Sequence, residues 1–200
     1  MRSCSWIITL LCVSALAAQA APRPAGDPLV QVKSATARIV DIARAATEQG
    51  AMVRQIEGVM AEVVDFQGFS ARTLKGRWEG LSTEQRSRFV TAFRGLVIST
   101  YAKRFKPGAT FRVSYRGPTT YGDAPTANVK TTIHGDKAAA DVDYLFAPAT
   151  LGAGVQWRAI DITVDEVSMA RNWRTQFRRI LDRDGFDVLV GKIEKKAAKR

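Results

Sequence analysis

Thiols, paired imidazoles and long apolar spans are what this chain has least of. Its 200 residues include two cysteines, Cys4 and Cys12, and one histidine, His134. Both cysteines fall in the first 20 residues, so the rest of the chain carries no thiol chemistry and no cysteine-based metal site. His134, at the end of a predicted hairpin strand, has no second imidazole or thiol near it in sequence and reads as a solvated side chain; no metal site is expected. There is no Gly-x-Ser-x-Gly elbow, no phosphate-binding loop and no dinucleotide fingerprint, and Gly152-Ala153-Gly154 sits in a strand-to-strand loop without the helix such a loop would need. No cofactor is expected. No run after residue 20 is long and apolar enough to span a bilayer, and no internal repeat occurs. Acidic residues are also scarce, 19 against 30 Lys plus Arg, for a net charge of +11.

The composition that remains, 46% hydrophobic with 24% charged, excludes disordered, collagen-like and disulfide-scaffold classes. Residues 1–20 read as an export signal. Arg2 supplies the charged start, Trp6 to Leu16 a short apolar run, and Ala18-Gln19-Ala20 a small-x-small cleavage site. Cleavage is expected after Ala20, leaving 29 basic against 19 acidic residues in an exported product. Residues 21–28 form a Pro/Ala-rich lead-in, residues 29–196 a single domain, and residues 197–200 a basic tail.

Periodicity orders the domain. Asp27-Pro28 starts a helix carrying Leu29, Val32, Thr36, Ile39 and Ala43, and Gly50 is expected to break it before a second helix through Val63. A short helix covers Asp65 to Gly76. Ser82 and Gln85 make a capping box for the clearest helix, whose apolar face runs from Phe89 to Phe105. After Pro107-Gly108 the period changes to two, giving strands around Phe111–Tyr115, Val129–Ile133, Val142–Phe146 and Val155–Val164, with a two-residue turn at Gly135-Asp136 and a loop from Pro148 to Gly154. Ser168 caps a helix with the stripe Met169, Trp173, Phe177, Ile180 and Leu181; Gly185 ends it, and a last helix carries Leu189, Val190 and Ile193. Helices, then four antiparallel strands, then helices is an α+β pattern.

Three residue groups are candidates for function. Asp141 and Asp143 lie two apart on one strand and Asp161 on another, a set that an enzyme could use for acid–base work and that a solvated sheet face would also carry. Arg171, Arg174 and Arg178 fall on the helix face opposite the Met169–Phe177 stripe and make a candidate docking face for an anionic surface or acidic partner. Export and the lack of interleaved aromatics exclude nucleic acid. Taken as a composition, the aromatic residues favour a packed core over a ligand cavity.

Specific strings go further. Trp157-Arg158-Ala159-Ile160-Asp161, then Asp165-Glu166-Val167-Ser168-Met169, then Asn172-Trp173-Arg174-Thr175-Gln176-Phe177 resemble a signature of the MlaC family of periplasmic phospholipid-binding proteins, also called toluene-tolerance or hopanoid-associated auxiliary proteins. Leu74 to Trp78 and Glu84-Gln85-Arg86 with Phe89, Phe93 and Tyr101 resemble a second family block, and Gly185, Leu189 and Ile193 its closing helix. The family-motif positions are therefore Trp78, Trp157, Asp161, Val167, Ser168, Arg174, Gln176 and Phe177. Two positions depart from the pattern: Glu166 and Lys75 stand where the family usually has glycine.

The resemblance implies a twisted four-stranded sheet and helices enclosing a deep apolar cavity for two acyl chains. It also implies a soluble carrier shuttling phospholipid, or a related amphiphile, between an outer-membrane lipoprotein complex and an inner-membrane ABC transport complex. The expected cavity wall is the strand face Phe111, Val113, Tyr115, Val142, Tyr144 and Phe146, covered by Phe89, Phe93 and Leu96. Two other readings stand beside it: a cone-shaped α+β enzyme using Asp141, Asp143 or Asp161, and an interaction module docking by its basic face without lipid.

Overall fold

A computed structural model describes residues 23–122, 124–135, 138–152 and 154–198. The export segment, its cleavage site after Ala20, Asp136 of the predicted turn, Ala153 and the last two tail residues lie outside the described residues. Six α-helices and six strands follow in the order α1 (Pro28–Ala45), α2 (Gln49–Val63), α3 (Phe66–Thr73), α4 (Thr83–Tyr101), β1 (Arg112–Tyr115), β2 (Thr120–Tyr121), β3 (Ala127–His134), β4 (Ala139–Leu151), β5 (Gly154–Val164), β6 (Val167–Ser168), α5 (Met169–Asp184) and α6 (Phe186–Ala198).

Helix ends follow local chemistry. Asp27 accepts the Leu29 N–H at 2.9 Å and Pro28 opens α1. The first two helices part at Ala46–Glu48 and not at Gly50, because the Glu48 carboxylate accepts the N–H groups of Gly50 and Ala51, both at 2.8 Å, and so places Gly50 inside the first turn of α2. The Ser82–Gln85 box is complete, with bonds of 3.1 and 2.9 Å. Gly185 closes α5 at φ +83°, a conformation that strains any side chain.

The sheet is antiparallel, in the order β1-β3-β4-β5-β6 with the two-residue β2 on the edge of β3. Four strands were expected; β2 and β6 are additional and short. The expected loop at Pro148 is also strand, since β4 runs to Leu151. The register explains how. β3 starts at Ala127, opposite Phe146, so residues 147–151 of β4 pair with β5 alone, and a proline there leaves no ladder bond unmade on the open side. The β4–β5 hairpin thus continues past its neighbours as an arm.

Val64 bridges Ala159 in parallel and the Asp65 N–H bonds the Ala159 carbonyl at 2.9 Å, which ties the start of α3 to the outer side of β5. A bulge in β5 shifts the pairing from Leu145–Asp161 to Phe146–Ala159 and leaves Ile160 without a partner of its own. α4 packs chiefly on α6, with further contacts to α3, and α1 meets the sheet at β3. Gly95 permits the close approach of α6: a Cβ there would stand 3.3 Å from that of Ala197.

Candidate functional site

Cross-strand registers assemble one apolar sheet face in rows. Tyr115, Thr131, Val142 and Val164 lie side by side, then Val129, Tyr144 and Ile162, then Ala127, Phe146 and Ala159. Val113 opposes Ile133 at one end, and Phe111 precedes β1 with its ring 5.1 Å from that of Phe105. Phe146 is fully buried and Val142 nearly so, whereas Phe111, Val113, Tyr115 and Tyr144 are half-buried. α1 approaches this face through a 2.7 Å hydrogen bond between the Thr36 and Tyr115 hydroxyls. Burial pushes the Tyr144 phenol up to about 12, against a smaller opposing effect of its hydrogen bond with Thr131.

Phe89, Phe93 and Leu96 share one buried apolar cluster with Val129 and Phe146 of that face. They belong to the helical layer, where Phe93 makes edge contacts with Phe69 at 5.2 Å and Phe177 at 6.0 Å and stacks on Phe89 at 5.8 Å. All three side chains are buried, and Phe89 and Phe93 have ring neighbours on several sides. The reason is visible in sequence order: α5, arriving after the sheet, brings Trp173 and Phe177 to α4.

The carboxylates do not form a catalytic set. Arg116 pairs with Asp141 at 3.3 Å and also with Asp143, on the polar side of the sheet, where Thr132 donates to Asp141 at 2.7 Å. His134 shares a 2.8 Å bond with Ser114 on the same exposed side. Asp161 has a different task. Its buried carboxylate accepts the N–H groups of Ile162 (2.8 Å) and Ala170 (3.0 Å) and the Ser168 hydroxyl (2.7 Å), with Arg72 at 3.7 Å. Ser168 in turn accepts the Arg171 N–H at 3.2 Å, so Asp161 and Ser168 together cap α5 and fasten it to the bulge in β5.

The other motif residues are mostly structural. Trp157 and Phe177 are buried, Trp78 is nearly so, Gln176 bonds Asn172 at 3.2 Å on the surface, and Val167 is 56% exposed. Arg174 leaves the expected docking face. It borders the buried stripe, and its guanidinium donates twice to the Arg72 carbonyl, at 3.0 and 2.7 Å, capping the end of α3. Arg171 and Arg178 stay exposed.

One open cleft of about 520 Å³ lies where the arm passes the α2–α3 junction. Val64, Phe66 and Ala71 line one side, Ala149, Thr150 and Leu151 the other, with Trp78, Arg94 and Arg158 completing it. Arg158 donates to the Val64 carbonyl at 2.9 Å and to that of Ala61; burial pulls its guanidinium below the usual value, countered by Asp65 and Glu62. Arg94 lies 3.3 Å from Glu57 and 5.6 Å above the Phe66 ring. Sequence reasoning passed over both arginines. The available signal was the uncharged run from Tyr144 to Trp157, ended by Arg158.

The geometry can be set against known proteins. No curated protein matches the chain. Its fold is similar to that of a phospholipid-binding protein from Ralstonia solanacearum, solved in complex with a phospholipid: the TM-score is 0.75 at 18% identity, over 87% of this chain and 98% of that one. The family model described as MlaC protein matches residues 32–195, well over half of the chain. The chain belongs to the MlaC family.

Proposed function

We propose that this chain is a periplasmic phospholipid carrier, released after Ala20, that passes lipid between an inner-membrane ABC transport complex and an outer-membrane lipoprotein complex. Family membership over residues 32–195 carries the reading. The physical need is clear. A diacyl lipid exposes some 30 methylenes, at about 0.8 kcal/mol each, so transfer through water without a carrier is opposed by on the order of 25 kcal/mol. The side chains offered to the acyl chains are the half-buried residues of the sheet face, Phe111, Val113, Tyr115 and Tyr144, with Val142 and Phe146 behind them. α1 is the cover over this face, joined to Tyr115 by the Thr36 hydroxyl at 2.7 Å and by the Lys33 ammonium 5.3 Å above the ring. Phe89, Phe93 and Leu96 are assigned to the core. Arg171 and Arg178 orient the carrier at anionic surfaces.

Solvent extraction of the purified protein followed by mass spectrometry tests the carrier reading. Near-stoichiometric phospholipid is the expected result. Protein that emerges lipid-free, and stays so after incubation with phospholipid vesicles, would leave the interaction module as the better reading.

A further inference from the structure

We propose that the cleft between the β4–β5 arm and the α2–α3 junction is a phosphoester site, with Arg94 and Arg158 as its clamp. The source of the phosphate, a lipid headgroup, rests on the carrier reading above; the site itself does not. Arg94 comes from α4 and Arg158 from β5, and both line the same cleft. The Nε of each is out of solvent and has no hydrogen-bond partner among the described residues. Buried donors in native proteins are rarely left so, and a missing ligand is one ordinary explanation. Two guanidiniums can grip a phosphate through paired N–H donors, a geometry that a lone ammonium cannot supply.

The charge balance points the same way. Asp65 is the only carboxylate among the lining residues, and its Oδ1 already accepts the Gly68 N–H at 2.9 Å. Glu57 neutralises Arg94 from outside the cleft at 3.3 Å, and Glu62 is held by Arg38. Among the lining residues alone, two guanidiniums stand against one carboxylate, and a bound phosphate would compete with Glu57 for Arg94. Phe66, Ala149 and Leu151 give the space of about 520 Å³ an apolar part beside the polar Gln67 and Thr150. That combination suits a phosphate with an apolar stem better than a free, fully hydrated ion.

The test uses the full-length processed protein. Vesicles containing equal amounts of phosphatidylglycerol and diacylglycerol with the same acyl chains are offered, and the lipid taken up is extracted and counted. Glycerol 3-phosphate is titrated separately by calorimetry. Wild type should prefer phosphatidylglycerol; R94Q should cut that preference roughly tenfold, as loss of a charged hydrogen-bond pair does, without changing diacylglycerol uptake. Because Arg158 also holds two backbone carbonyls, E57Q serves as the second variant: freeing Arg94 from its carboxylate should raise the preference. A preference unchanged in both variants overturns the inference and leaves the carrier reading intact. If wild type takes up neither lipid yet binds glycerol 3-phosphate, and R94Q loses that binding, the cleft is a site for soluble phosphoesters and the carrier reading falls instead.

Discussion

Glu166 is held in a backbone conformation that favours glycine. Asp165 and Glu166 connect Val164 to its partner Val167, and both have positive φ, +45° and +66°. A two-residue hairpin loop of this hand wants glycine at the second position, and a side chain there costs about 1 kcal/mol. Asp165 answers part of that strain, because its carboxylate accepts the Asp141 N–H at 2.9 Å. Glu166→Gly should therefore stabilise the protein by about 1 kcal/mol, raising Tm by roughly 2–4 °C in a scanning melt. An unchanged or lower Tm would mean the strain is relieved elsewhere.

Tyr144 makes a second prediction at this scale. Its folded pKa, about 12, lies above the ordinary value of 10.0, so the neutral phenol is favoured by folding. That contribution is whole below pH 10 and is lost as pH rises toward about 12. Wild type should lose stability more steeply than Tyr144→Phe across this window in denaturant melts. Parallel curves would show that the phenol is not held neutral.

At the scale of elements, the sheet face and the α4 face look alike in sequence and differ in the structure. Each is an apolar stripe at the period of its element. Val113 is half-buried on a strand, whereas Phe93 is enclosed by Phe69, Phe89, Trp173 and Phe177. Phe93→Trp should cost about 1–3 kcal/mol of stability by overpacking and leave lipid content per folded molecule unchanged. Val113→Trp should instead reduce extracted lipid while sparing the melting temperature of the delipidated protein. The reverse pattern would exchange the two assignments.

This contrast also marks how far sequence could go. The caps at Asp27, Ser82 and Ser168 and the six helices were legible because each depends on residues within a few positions of one another. What covers α4 was not, since Trp173 and Phe177 lie some eighty residues away. Asp161 was open to a chemical reading until the β5 bulge and the N–H of Ala170 gave it a structural one. The arm was missed because Pro148 and the glycines read as a loop unless one knows that β3 stops opposite Phe146.

For the whole molecule, charge is the property that carries furthest. A net +11 chain should be drawn to anionic membranes, and Arg171 and Arg178 concentrate exposed charge on one helix. Each such charge is worth about 1 kcal/mol near an anionic surface. Replacing both by glutamine should weaken sedimentation with anionic vesicles at low salt and leave bound lipid unchanged. Equal sedimentation would mark that face as ordinary solvated surface. Arg174 is a poor choice for such a test, since Arg174→Gln removes the two bonds on the Arg72 carbonyl.

The interleaving of the helical layer has a consequence in time. α3 and α4 are made before the sheet, and the helices that cover them, α5 and α6, are made after it. A nascent chain that has not reached Trp173 therefore displays Phe69, Phe89 and Phe93 with their final neighbours missing. The β3–β4–β5 meander can close on its own, strand to next strand, while the aromatic half waits for the carboxyl-terminal fifth of the chain. The protein's most vulnerable moment is then its almost-finished one, and a ribosome stalled shortly before Asn172 would leave a sheet with an unsheathed row of rings.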